Sequence, residues 1–275
     1  GTKTVLLNDK GIKLKSYYKS YELIKSSNKV VEQKANDWWE ALALTVRECI
    51  SDISDKENIL ALSISSQGGS LLPVDENGNP LSNVIVWMDK RGIQQQRDLL
   101  KLHDDDFYYK KTGWKLSDGG NLIQIRWLKE NRPDIFERTH KFLSTIDYIN
   151  YKLTGDYIID PTNAAMTNLF DIQKGIWDDS LLNAAGIQEQ RLPGILMSGK
   201  VVGKLTPEAA AQLGLNTSVK VINGGHDQYC AAIGTGSVND GELFLSAGTA
   251  WVLMGIFKEP VFNNKTYIAP GRHIV

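Results

Sequence analysis

The segment Asn223–Gln228 (NGGHDQ) holds the strongest concentration of chemically useful residues in the chain. An apolar strand pattern precedes it and a helical pattern follows it, so the segment is predicted to be a turn from a strand into a helix. Its glycines let a ligand approach the backbone, and a helix N-terminus attracts negative charge. An aspartate at that position lies where α/β sheets bind ligands. Asp227 is therefore a candidate catalytic residue, and the simpler alternative is that it only caps the helix.

Two further glycine-containing segments follow predicted strands. Ser246–Ala250 (SAGTA) joins two strands, and its amides and threonine hydroxyl suit phosphate oxygens; an ordinary β-turn is the alternative. Ser66–Ser70 (SQGGS) ends a buried strand, and Gln67 can both donate and accept hydrogen bonds. A β-bulge or a bend would explain the same glycines.

The fourth segment is Trp87–Arg91 (WMDKR). The face of Trp87 suits the apolar face of a sugar or polyol, and Asp89 and Arg91 can bind hydroxyl groups. The alternative is a core tryptophan beside a structural ion pair.

Hydrophobic periodicity and turn residues predict one large α/β domain rather than two domains. In the first part of the chain the predicted elements are strands Thr4–Leu7 and Lys13–Tyr21, helix Glu32–Ile53, strand Asn58–Ser65, a hairpin of Leu71–Val74 and Val84–Trp87, helices Arg91–Leu102 and Asn121–Glu130, and strand Asn168–Ile172. Later come a helix capped by Thr206 and ended by Gly214, strand Val219–Ile222, helix Gln228–Ile233, and strands Leu243–Leu245 and Trp251–Ile256.

Composition excludes several classes of protein. Of 275 residues, 42% are hydrophobic and 23% are charged, and the net charge is −1. This balance is typical of a soluble globular protein and gives no field that attracts nucleic acid or a membrane. No run of 18 apolar residues is present, and no signal peptide is expected. Cys49 and Cys230 are predicted to be free thiols, which indicates a reducing, cytoplasmic location.

These segments, in this order, resemble the FGGY carbohydrate kinases, relatives of actin, Hsp70 and hexokinase. The resemblance covers nearly the whole chain. It is carried by Asn58–Arg91, Trp127–Asn131, Asp147–Gly155, Asp160–Asp171, Leu192–Gly203 and Gly224–Thr249. It implies a ribonuclease-H-like α/β fold, with a mixed β-sheet flanked by helices.

The resemblance also implies a reaction. ATP, with Mg²⁺, would phosphorylate a hydroxyl of a sugar or polyol, most simply a ketose such as xylulose. Asp227 would accept the proton of that hydroxyl, while Gly248, Thr249 and Lys3 would contact the ATP phosphates. The implied sugar-binding residues are Gln67, Gly68, Gly69, Trp87, Asp89, Arg91, His226 and Gln228.

By the same resemblance, residues 1–257 are expected to be the N-terminal, sugar-binding domain without its first strand and phosphate loop. Residues 258–275 are expected to begin the connection to a C-terminal domain of the same kinase, which would be its partner. This segment alone is expected to be inactive, and a homodimer is also open.

The sequence departs from the family pattern at four positions. Gln124 stands where a lysine is usual, Gly68 and Gly69 stand where larger side chains are frequent, and Gly119 replaces an aromatic sugar contact. A roomier pocket is therefore expected. Two other functions stay open: a catalytically silent sugar-binding or regulatory homologue, and a nucleotide switch of the actin or Hsp70 kind. Asp227 argues against the first, and the sugar-loop residues argue against the second.

Overall fold

The computed structural model describes residues 1–247, 251–263, 265–266 and 268–274. The strands are β1 (Thr2–Leu7), β2 (Lys13–Lys19), β3 (Ile24–Lys25), β4 (Val31–Gln33), β5 (Ala61–Ser66), β6 (Leu72–Val74), β7 (Val84–Ile85), β8 (Lys141–Leu143), β9 (Ile158–Ile159), β10 (Phe170–Asp171), β11 (Ile176–Trp177), β12 (Gly194–Ile195), β13 (Val201–Lys204), β14 (Lys220–His226), β15 (Leu243–Ala247) and β16 (Trp251–Gly255). The helices are α1 (Ala35–Cys49), α2 (Ile93–Leu102), α3 (Asp105–Thr112), α4 (Asn121–Asn131), α5 (Pro133–Arg138), α6 (Thr145–Thr154), α7 (Pro161–Ala165), α8 (Asp179–Ala185), α9 (Pro207–Leu213) and α10 (Asp227–Gly234).

The strands that matter most for the site form a mixed sheet in the order β13-β14-β5. β14 is antiparallel to β13 and parallel to β5. Helices α1, α6 and α9 pack on this region, where Trp38, Leu42, Tyr148, Leu153 and Val221 are all buried in one core cluster. Burial of each such side chain contributes about 1.5–3 kcal/mol, so this packing stabilises the sheet that contains β5 and β14.

Several predicted elements are confirmed. The first hairpin is β1 paired with β2, and helices α2 and α4 cover the segments predicted to be helical. The caps of α9 are also as predicted: the Thr206 side chain accepts a hydrogen bond from the amide of Ala209, and Gly214 adopts a left-handed conformation with φ of 69°. Local sequence signals were sufficient for these elements because their caps and turns depend on nearby residues.

Several boundaries were predicted wrongly, and two of them have a clear structural reason. The first helix begins at Ala35 rather than Glu32, because Val31–Gln33 form a strand in which Glu32 pairs with Ile85. The strand predicted from Asn58 begins at Ala61, because Lys56–Asn58 form a short 3₁₀ helix capped by the Asp55 carboxylate.

Two strand connections also differ from the prediction. The segments around β6 and β7 do not form a regular hairpin: β6 pairs with β8, β7 pairs with β4, and a single bridge joins Leu71 to Ile85. The predicted turn at residues 223–227 is wrong as well, since β14 continues through it to His226. Both differences arise from pairing with distant strands, which no local pattern reveals.

Both cysteines are free, as predicted: Cys49 is buried and Cys230 is half-buried. Within the described ranges, no helix is long and apolar enough to cross a membrane.

Candidate functional site

The parallel strands β5 and β14 end side by side. Ser66 lies opposite His226 in their register, so the loop that starts at Gln67 and the helix that starts at Asp227 leave the same edge of the sheet. That edge, at the carboxyl ends of parallel strands, is where α/β proteins bind ligands.

Asp227 is the first residue of α10, and the cap is His226, whose Nδ1 accepts a hydrogen bond from the amide of Gln228 at 3.4 Å. The simpler alternative for Asp227 is therefore wrong in this structure. Its side chain is 49% exposed, and its Oδ1 lies 3.4 Å from Nδ1 of His226. A carboxylate in the first turn of a helix is favoured by the helix dipole. Asp227 is thus an accessible anion at a fixed place in the site.

The ring of His226 is largely buried, with 13% of its side chain exposed. Burial lowers the pKa of this histidine, and the attraction of Asp227 and Asp160 only partly opposes that effect. The backbone amide of His226 donates to Thr162 Oγ1 at 2.8 Å, and its ring contacts Tyr229 edge-on with centroids 5.9 Å apart.

Glycines of the site lie against other protein groups. A Cβ on Gly68 would stand 2.6 Å from Cδ2 of His226, and a Cβ on Gly119 would stand 2.3 Å from the carbonyl oxygen of Trp87. Gly69 has φ of +68° and faces Cβ of Trp87. Protein atoms fill the places next to Gly68 and Gly119, so these two glycines do not themselves leave extra space, and the roomier pocket stays a prediction.

Gly224 and Gly225 were predicted to let a ligand approach the backbone, but the structure gives another reason for glycine at these positions. A Cβ on Gly224 would stand 1.8 Å from the carbonyl oxygen of Ile64, and one on Gly225 would stand 2.5 Å from Cδ1 of Ile274. These two glycines permit the close approach of β5 and of the C-terminal segment, rather than the approach of a ligand.

Gln67 is held by the protein. Its Nε2 donates to Gln33 Oε1 at 3.0 Å and to Ser70 Oγ at 3.3 Å. The side chain is half-buried, so the loop around it is ordered by its own hydrogen bonds.

Trp87 is 52% exposed, so it is not the core tryptophan of the alternative interpretation. Asp89, in contrast, is 1% exposed and accepts hydrogen bonds from the amide of Val31 at 2.7 Å and from Arg91 Nε at 2.9 Å. Arg91 also contacts Glu32 at 2.7 Å. Burial opposes the charge of Arg91, but hydrogen bonds to Asp89 and Glu32 outweigh it and raise the pKa. Asp89 and Arg91 thus form the structural ion pair that was the alternative, and a sugar contact by either stays a prediction.

The remaining predicted residues are spread more widely. Lys3 is exposed on β1, in a two-stranded sheet separate from β5 and β14. The side-chain oxygen of Gln228 is buried and receives no hydrogen bond from any residue that the structure describes. Gly248 and Thr249 lie outside the described residues, although the strands on either side pair up to Ala247 and Trp251.

Sequence reasoning missed a group of residues whose hydrogen bonds hold His226 in place. Asp160 is fully buried and accepts hydrogen bonds from the amides of Thr162 at 2.8 Å and Asn163 at 3.1 Å. The Thr162 hydroxyl in turn accepts a hydrogen bond from the backbone amide of His226. The Asp-Pro-Thr sequence is a helix-start signal that could have located this support.

The C-terminal segment folds back toward the same region. Tyr109 Oη donates to the carbonyl of Ile268 at 2.8 Å, and Arg272 Nε donates to the carbonyl of Ile172 at 2.7 Å. Ile274 reaches Gly225, two residues before Asp227. The prediction that residues 258–275 begin an interdomain connection is untested and stays a prediction.

A metal site does not emerge from this part of the chain. In the described residues, no three His, Cys, Asp or Glu side chains come together in a way that could hold a metal ion.

Parallel strands that deliver a carboxylate and a glycine loop to one sheet edge define an α/β ligand-binding domain. The chain belongs to the FGGY family of carbohydrate kinases, because the model of that family's N-terminal domain matches residues 1–234.

Individual relatives carry several substrate names. The chain is 33% identical over 261 residues to a xylulose kinase of Bacillus subtilis, covering 94% of this chain and 52% of that protein. It is 29% identical over 258 residues to an L-fuculokinase of Haemophilus influenzae, covering 92% of this chain and 54% of that protein. The chain thus spans about half the length of the curated relatives it matches.

A solved structure shares the fold closely. The gluconate kinase of Lactobacillus acidophilus superposes with a TM-score of 0.90 at 27% identity, covering 95% of this chain and 53% of that one. The predicted fold class is therefore confirmed.

Proposed function

We propose that this chain is the N-terminal, sugar-binding half of an ATP-dependent carbohydrate kinase, which phosphorylates a ketose such as xylulose. The single observation that supports it most is the position of Asp227, an exposed carboxylate at the end of β14 beside the loop that contains Gln67. Xylulose kinases and an L-fuculokinase among the relatives favour a ketose over the sugar acid that a gluconokinase is named for.

In the proposed reaction, a sugar hydroxyl attacks the γ-phosphorus of ATP. The new O–P bond forms, the bond to the ADP oxygen breaks, and the hydroxyl proton passes to Asp227. Phosphoryl transfer has a loose transition state, so the protein contributes mainly alignment and charge stabilisation. Asp227 supplies the proton acceptor from a fixed helix terminus.

Binding of the sugar is proposed to use the exposed face of Trp87 against its apolar side. Gln228 is proposed to contact a sugar hydroxyl through a change of side-chain rotamer, because its side-chain oxygen is buried without a hydrogen-bond partner among the described residues. Gly248, Thr249 and Lys3 are proposed to contact the ATP phosphates.

A C-terminal domain of the same kinase is the proposed partner, and it would hold most of the adenine site and help to organise Mg²⁺. An apolar sheet face supports this proposal: Leu243, Leu245, Trp251 and Leu253 are each 51–72% exposed, and they lie on one side of β15 and β16. Such a contiguous apolar face is typical of an interaction surface. A cytoplasmic location and a homodimer stay predictions.

A substrate panel tests the function. The complete kinase that carries this chain is mixed with Mg-ATP and with ketoses, polyols and sugar acids, and ADP release is measured. We expect release that depends on one ketose. Thermal stabilisation by a sugar without ADP release would instead favour the catalytically silent homologue, and no response to any sugar would contradict both functions.

A further inference from the structure

Nδ1 of His226 lies between two groups at the start of α10. It stands 3.4 Å from the amide nitrogen of Gln228, whose hydrogen bond it accepts, and 3.4 Å from Oδ1 of Asp227. Because Nδ1 accepts the amide hydrogen, the neutral ring carries its proton on Nε2. The carboxylate and Nδ1 are then both acceptors, so no hydrogen bond joins them while Asp227 is ionised.

The ring has little freedom to move away from this place. On one edge, Gly68 lacks the side chain that would displace Cδ2, and Met166 is also close to Gly68. On the other side, Tyr229 contacts the ring edge-on, and Tyr229 is itself backed by His273 with centroids 6.1 Å apart. A ring enclosed in this way holds Nδ1 at a fixed distance from Asp227.

Burial keeps the imidazole of His226 neutral at rest, although two carboxylates around it favour the charged form. Asp227 and Asp160 attract a proton to it, Tyr229 and His273 lie behind it, and burial disfavours the charged form more strongly than the two carboxylates favour it. Gly68, on the facing loop, brings no charge.

We propose that His226 is a positioning residue: once Asp227 has taken the sugar proton, Nδ1 of His226 exchanges its long hydrogen bond from the Gln228 amide for one from the Asp227 carboxyl. The protonated carboxyl is a donor 3.4 Å from a fixed acceptor, which is within a small side-chain rotation of hydrogen-bond length. The contact therefore stabilises the state formed during proton transfer and not the resting enzyme, and only such differential contacts raise kcat. The catalytic part of this inference rests on the proposed function, whereas the pairing of His226 with Asp227 does not.

The pairing can be tested without any substrate. The chain has four histidines, so ¹⁵N-labelled imidazole signals of the 275-residue protein can be assigned by single substitutions. We expect His226 to carry its proton on Nε2 at neutral pH. Asp227→Asn places an amide donor where the protonated carboxyl would be, so the Nδ1 signal should move upfield and the pKa of His226 should fall, while the other three histidines stay unchanged. A proton on Nδ1, or no response to Asp227→Asn, overturns the proposal.

Kinetics of the complete kinase then separate two roles of His226: capping of helix α10, and acceptance of a hydrogen bond from protonated Asp227. His226→Ala should lower kcat about ten-fold while KM for the sugar changes by less than about two-fold. Serine and asparagine are equally good helix caps, but serine is too short to reach Asp227. His226→Asn should therefore recover most of kcat and His226→Ser should not. Equal recovery by both, or an unchanged kcat in His226→Ala, overturns the proposal. If the unmodified kinase phosphorylates no sugar, the proposed function fails, and the imidazole signals alone decide the pairing.

Discussion

Gly68 lies directly against the imidazole edge of His226, so closely that a Cβ on this glycine would stand 2.6 Å from the ring. This contact joins the loop after β5 to the start of α10. The loop and the candidate base therefore form one packed unit, and a substitution in either should displace the other.

The first prediction follows from that contact. Gly68→Ala should displace His226 and shift Asp227, which lowers kcat of the complete kinase by about ten-fold and destabilises the protein by about 1–3 kcal/mol, as overpacking usually does. Steady-state kinetics and urea unfolding measure both effects. Gly234→Ala is the matched control, because no atom lies within 4 Å of its added Cβ. That control should be neutral or slightly stabilising in the last turn of α10. Equal behaviour of the two variants would show that Gly68 does not pack on His226.

The second prediction concerns the proton acceptor. Asp227→Asn keeps the shape of the side chain but removes its basicity, so kcat should fall by about 10² or more while sugar affinity stays within a few-fold. ADP release and sugar binding by calorimetry supply the two numbers. Asp9→Asn, in an exposed turn after β1, is the control and should leave both unchanged. Near-normal kcat in Asp227→Asn would remove Asp227 from the chemistry.

Sequence reasoning located the elements of this site better than the contacts between them. The end of β5, the start of α10 and the caps of α9 follow from local patterns of apolar residues, glycines and cap residues. The continuation of β14 through Gly224 could not be foreseen, because it depends on the carbonyl of Ile64 in another strand. In the same way, the sequence around Asp89 is typical of a ligand-binding site. Only the buried hydrogen bond that the Val31 amide donates to Asp89 reveals its structural role.

The third prediction concerns pH and stability. Burial raises the pKa of Asp147 to about 7, with a smaller contribution from the negative charge of Asp160. The folded state therefore binds a proton that the unfolded state releases near pH 4, so this contribution to stability is complete below about pH 4 and is lost as pH rises to about 7.

Asp147→Asn should abolish that loss, because asparagine can still accept the hydrogen bond that Ser144 N donates to Oδ1 at 2.8 Å. Relative to the unmodified protein, the variant should gain roughly 4 kcal/mol between pH 4 and pH 8, at about 1.4 kcal/mol for each unit of pKa difference. Urea unfolding at both pH values measures the change. A parallel pH dependence in the two proteins would show that Asp147 does not titrate in this range.

The fourth prediction tests where the C-terminal segment lies. A Cβ added at Gly225 would stand 2.5 Å from Cδ1 of Ile274, so Gly225→Ala should destabilise the protein by about 1–2 kcal/mol through this overlap. Ile274→Ala removes the overlapping atom and should be only mildly destabilising alone, because Ile274 is half-buried. In the double variant, Gly225→Ala should cost about 1 kcal/mol less than it does in the unmodified protein, since residues in contact are not additive. Urea unfolding of the unmodified protein, the two single variants and the double variant gives the four free energies of this double-mutant cycle. Additive effects would show that Ile274 does not pack on Gly225, and that the last residues of the segment do not reach the strand that leads to Asp227.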